Sequence, residues 1–81
     1  MKKVLIVEDN QLVANIYGNR FTLEGFQVKI APDGQAALDL VHSFRPDVVI
    51  LDLMLPKMTG VELLKKIRAE PSLELLSLIH I

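Results

Sequence analysis

Val48-Val-Ile-Leu-Asp-Leu-Met-Leu-Pro56 is the stretch that decides the fold. An unbroken, β-branched apolar run reads as a strand buried on both faces, as in a parallel sheet covered by helices. The run meets a lone carboxylate, Asp52, and a proline closes the turn four residues later. Burying an ionised carboxylate without compensation costs several kcal/mol. Asp52 is therefore expected at the strand's carboxyl end, where open α/β sheets place their ligand crevices. A second run, Val4-Leu-Ile-Val7, ends the same way in Glu8-Asp9. Two strands that terminate in acid bring three carboxylates to one sheet edge.

Outward from these runs, strands and helices alternate. Lys3–Val7 is the first strand, and Asp9 or Asn10 can cap the helix that follows. Over residues 11–24, Leu12, Val13, Ile16, Tyr17, Phe21 and Leu23 fall mostly three or four apart, which predicts one buried helical face. Gly25 suits the left-handed position that ends a helix. Residues 26–31 form a shorter, more polar strand, expected at an edge. Pro32-Asp-Gly34 is a turn. A second helix from Gly34 to His42 or Phe44 buries Ala37, Leu38, Val41 and Phe44. Arg45-Pro-Asp47 stops it, because a residue before proline is pushed out of the helical region. After the Asp52 strand and a loop over residues 54–59, a third helix runs from Gly60 to about Glu70. It buries Val61, Leu64 and Ile67 or Leu63, and keeps Lys65, Lys66 and Arg68 in water. The order β-α-β-α-β-α implies a parallel sheet with flanking helices.

Composition narrows the function. An 81-residue chain that is 51% hydrophobic and 23% charged is one small folded domain rather than a disordered segment. The net charge of -1, with scattered Lys and Arg, gives no basic patch for nucleic acid. Without cysteine there are no disulfides and no thiolate metal sites, which fits a reducing cytoplasm. Met1-Lys-Lys3 before an apolar run looks like the start of a signal peptide, but the run is too short and ends in acid. No run is long enough to span a membrane. Neither G-x-G-x-x-G nor G-x-x-x-x-G-K-[ST] is present, and the two histidines make no H-E-x-x-H.

The chemistry therefore rests on the acidic edge. Glu8, Asp9 and Asp52 repel one another unless a cation joins them, and oxygen ligands with room for water suit Mg²⁺. A carboxylate beside Mg²⁺ can take part in in-line phosphoryl transfer, which makes Asp52 a candidate nucleophile. The plain structural reading is stronger for the other acids. Asp9 taken alone reads as a cap, Asp33 and Asp47 as turn residues, and Asp39 as a solvated helix charge. His42 reads as a surface residue at a helix end, and Lys57 as an exposed loop charge.

Val4-Leu-Ile-Val-Glu-Asp-Asn10 together with Val49-Ile-Leu-Asp-Leu-Met-Leu-Pro-Lys-Met-Thr-Gly-Val-Glu62 resembles the receiver domain of bacterial two-component response regulators. Leu23-Glu-Gly-Phe26 and Pro32-Asp-Gly-Gln-Ala-Ala-Leu38 are also family-like, and the likeness runs over residues 1–75. It implies an α/β, flavodoxin-like fold with strand order 2-1-3-4-5. It also implies that Asp52 accepts a phosphoryl group from a sensor histidine kinase or phosphotransfer protein. Glu8, Asp9, Asp52 and the backbone carbonyl of Met54 would hold Mg²⁺, and Pro56 and Gly60 would shape the loop. A cytoplasmic signalling domain is implied rather than a conventional enzyme, with no nucleic-acid or membrane contact by this segment. Haloacid-dehalogenase-type phosphatases place a second Asp two residues after theirs, where this chain has Met54. The alternative is an interaction module that uses the fold without being phosphorylated.

The chain also departs from the family. A full receiver has five β-α units, and the chain carries three, so a C-terminally truncated receiver is expected. The switch Ser/Thr after strand four, the Lys after strand five and the switch aromatic have no counterpart here. Losing strands four and five leaves the Asp52 strand as an edge, unless the tail covers it. Leu76-Ser-Leu-Ile-His-Ile81 is also what the transposon-end adapter of a common sequencing library encodes in one frame. Residues 76–81 are read as that non-native tail, the alternative being a partial fourth strand.

Overall fold

A computed structural model describes residues 2–51, 60–69 and 77–80. Its elements are β1 (Lys3–Val7), α1 (Gln11–Leu23), β2 (Gln27–Ala31), α2 (Gly34–Ser43), β3 (Val48–Leu51), α3 (Gly60–Arg68) and β4 (Ser77–His80). The strands form one parallel sheet in the order β2-β1-β3-β4. This is the expected family order as far as four strands carry it. β2 is the edge that its polar alternation predicted. The Asp52 strand is not an edge: β4 lies beside β3, with Val48 level with Ser77 and Leu51 level with His80.

Both faces of β1 and β3 are covered, which explains their lack of polar alternation. Leu5, Val7, Val49 and Leu51 point to one side, where Ala37, Val41, Leu63 and Ile67 meet them from α2 and α3. Val4, Ile6 and Ile50 point to the other, beneath Tyr17 and Phe21 of α1. Of the alternatives for α3, both Leu63 and Ile67 are fully buried. Four residues apart, they lie on one helical face. The side chains of Val61 and Leu64 lie outside the described residues.

α1 differs from its sequence reading. The spacing grouped Leu12, Val13, Ile16, Tyr17, Phe21 and Leu23 on one buried face, but Leu12, Ile16 and Leu23 are 70%, 60% and 85% exposed. The helix rests on the sheet through Ala14 and Gly18, both buried, with Tyr17 and Phe21 packed beside them. A Cβ on Gly18 would stand 3.3 Å from the Ile30 side chain of β2, so the glycine permits this close approach. Small residues define the seat, and the larger apolar residues on the far side have no room beneath the helix.

The connections follow local chemistry. Asn10 caps α1 by accepting the Val13 N–H on its side chain, and Asp33 caps α2 by accepting that of Ala36. Gly25 ends the α1 turn at φ +93°. Arg45 leaves the helical region as its proline neighbour requires, but it goes to φ 53°, a left-handed conformation that disfavours a side chain.

Candidate functional site

The site begins at a reversal in the sheet. From β1 the chain goes first to β2 on one side and later to β3 on the other. Helical connections therefore diverge between the carboxyl ends of β1 and β3 and leave a crevice there. The register sets Val7 opposite Leu51, so both strands stop at the same level. Glu8 and Asp9 are the first residues after β1, and Asp52 is the next residue in sequence after Leu51.

Glu8 is the buried charged residue among the described residues, with 7% of its surface exposed. Its backbone N–H donates to the Ala31 carbonyl at 3.0 Å, which ties it to the end of β2. Its carboxylate Oε1 accepts the Asn10 N–H at 3.2 Å. Asp9, by contrast, is exposed and is not the cap of α1, which Asn10 supplies. The two acids also precede the start of α1, whose positive dipole end favours negative charge.

Consecutive carboxylates, one buried and one open to water, are hard oxygen donors. They fit Mg²⁺, which takes oxygen ligands and keeps several waters, better than a metal that prefers nitrogen or sulfur. Of the residues expected in the site, Asp52, Met54 and Pro56 lie outside the described residues. Gly60 is the first residue of α3. Among the described residues, no three acids or histidines form a metal-binding cluster.

The remaining acids fall where turn chemistry put them. Asp33 caps α2, and Asp47 accepts the Lys3 N–H at 2.8 Å on its carboxylate, at the opposite end of the sheet. His42 is exposed near the end of α2, with Nδ1 2.8 Å from the Leu38 carbonyl. The spacing did not reveal two features beside the site. One is the second bond that Asn10 makes, through its backbone, to Glu8. The other is the exposed pair Leu12 and Ile16, one turn apart at the start of α1. The Glu-Asp-Asn order was the available signal for the first.

The model of the response regulator receiver domain matches residues 4–79. The chain belongs to the receiver domain family of two-component response regulators. It is 41% identical over 76 residues to the probable transcriptional regulatory protein TcrX of Mycobacterium tuberculosis, covering 93% of this chain and 32% of that protein. It is 40% identical over 77 residues to the probable transcriptional regulator ycf27 of Guillardia theta, covering 95% of this chain and 30% of that protein. The chain thus spans about a third of the length of these curated relatives. Among solved structures, the Vibrio cholerae chemotaxis protein CheY4 superposes with a TM-score of 0.93 at 31% identity, over 99% of this chain and 67% of that one. The response regulator TrrA of Thermotoga maritima, solved in complex with Mg²⁺-BeF, gives a TM-score of 0.83 at 30% identity. That match covers 89% of this receiver chain and 63% of TrrA. No helix among the described residues is long and apolar enough to cross a membrane.

Proposed function

We propose that this receiver takes a phosphoryl group onto Asp52 from the phosphohistidine of a sensor histidine kinase or phosphotransfer protein, in the cytoplasm. The carrying observation is the register that stops β1 and β3 together, Val7 level with Leu51, with Glu8-Asp9 following one strand and Asp52 the other. Glu8, Asp9, Asp52 and the backbone carbonyl of Met54 would hold Mg²⁺. When bound, the ion supplies positive charge to the phosphoryl oxygens and offsets repulsion among the carboxylates.

A carboxylate oxygen of Asp52 attacks phosphorus, an O–P bond forms, and the N–P bond to the donor imidazole breaks. The imidazole leaves with the electron pair. Little covalent chemistry falls to the protein beyond positioning. Glu8 is suited to that by its burial and its bonds to β2 and to the head of α1. The Mg²⁺-BeF complex of TrrA supports the metal reading by similarity. Leu12 and Ile16, apolar, exposed and at the end of α1 next to the acids, suit contact with the donor.

The test uses the protein in the longest form that its source DNA encodes, incubated with a small acyl phosphate and Mg²⁺. One phosphoryl group is expected by mass spectrometry, and none on Asp52→Ala. Equal labelling of Asp52→Ala would overturn the assignment. Reading that DNA past the codon for Leu75 also tests the proposed division into a receiver segment, residues 1–75, and an adapter-encoded tail, residues 76–81. Adapter sequence beyond that codon supports it, and a natural fourth strand overturns it.

A further inference from the structure

We infer that Asn10 is a positioning residue for the metal-binding carboxylate of Glu8, an inference that rests on the Mg²⁺ site proposed above. Asn10 makes two bonds in opposite directions. Its side-chain Oδ1 accepts the Val13 N–H at 3.2 Å and so closes the first turn of α1. Its backbone N–H donates to Glu8 Oε1 at 3.2 Å. At φ -81° and ψ 110°, Asn10 is extended, as a helix cap requires. The cap thus fixes the peptide whose N–H holds the carboxylate.

The consequence is geometric. A Glu side chain has three rotatable bonds, and Mg²⁺ demands close to octahedral geometry. Glu8 is buried, so its carboxylate depends on protein groups rather than on water for its orientation. One oxygen accepts the Asn10 N–H, which restrains the rotation of the carboxylate. Loss of the Asn10 side chain leaves that N–H in place but frees the peptide to turn. The helix cap and the metal ligand are therefore one unit, joined through a residue that does not itself touch the ion.

Groups that orient a metal ligand change metal affinity by roughly 10–100-fold when removed. Isothermal titration of the protein in the longest form that its source DNA encodes, with MgCl₂ alone and no phosphodonor, reads this directly. Asn10→Ala is expected to weaken Mg²⁺ binding about tenfold. Asn10→Ser keeps a capping oxygen and is expected to restore affinity to within about twofold of the parent. Asn19→Gly weakens the same helix on its exposed side, away from Glu8, and is expected to bind like the parent. Circular dichroism identifies the folded variants.

Parent-like affinity in Asn10→Ala overturns the inference. So does an equal loss in Asn19→Gly, which would make the effect one of helix stability, and so does a failure of Asn10→Ser to rescue. A parent that takes up no Mg²⁺ overturns the metal site itself, and the role of Asn10 with it.

Discussion

The two ends of the sheet use their charged residues differently. At the amino end, charged side chains bind the backbone of neighbouring segments. The Lys3 N–H donates to Asp47 Oδ2 and the Asp47 N–H donates to the Lys3 carbonyl, each at 2.8 Å, which ties β1 to the entry of β3. Lys3 Nζ donates to the Phe44 carbonyl at the end of α2 and lies 5.5 Å from the centre of the Phe44 ring. At the carboxyl end, Glu8 and Asp9 are adjacent in sequence, and the Glu8 carboxylate accepts the Asn10 N–H. At one edge an acid and a base each bind backbone groups, and at the other acid stands beside acid. Bonds from charged side chains to the backbone staple the strands at the first edge, whereas adjacent like charges at the second favour a bound cation.

Substitutions at the two ends should separate binding from stability. Glu8→Gln keeps the shape and an oxygen to accept the Asn10 N–H but removes the charge. It should lower Mg²⁺ affinity by more than about tenfold, read by titration, while the melting temperature holds or rises. An unchanged affinity would dissolve the contrast between the edges. Asp47→Ala should do the reverse. It removes the acceptor of the Lys3 N–H and should cost about 1 kcal/mol in urea unfolding, with Mg²⁺ affinity unaltered. Lys3→Met keeps an apolar stem against Phe44 but loses the bond to its carbonyl, and should cost less, about 0.5 kcal/mol by the same measurement. Arg45→Gly is the smallest. At φ 53° glycine relieves the side-chain penalty but adds freedom to the unfolded chain, for a net gain of a few tenths of a kcal/mol, ~0.3.

Much of this was legible along the chain because short-range rules govern it. The Gly25 stop, the α2 face through Ala37 and Val41, and the two buried strands each follow from neighbours within a few residues; Asp33, read as a turn residue, also caps α2. Phe21 and Phe26, which meet edge to face at 5.6 Å, lie across that same short turn. The acid pair was legible as a candidate site because neighbouring carboxylates after a buried strand repel one another unless a cation joins them. The cap was less so: Asp9 and Asn10 are both good caps, and only the backbone path from β1 into α1 gives the task to Asn10 and leaves Asp9 exposed.

The sequence by itself determined that buried strands would end in acid and that helices would lie between them. Period and burial cost dictate both, whatever the rest of the chain does. Only the tertiary structure decided which side of α1 faces inward. Its apolar residues form two overlapping stripes, and spacing alone does not distinguish them. Ala14 and Gly18 settle the matter because a helix can approach a sheet closely only where its side chains are small, which leaves Leu12, Ile16 and Leu23 outside. The neighbour of β3 was likewise decided in three dimensions. Pairing of Ser77–His80 with Val48–Leu51 joins segments distant in sequence, and no local preference specifies such a contact.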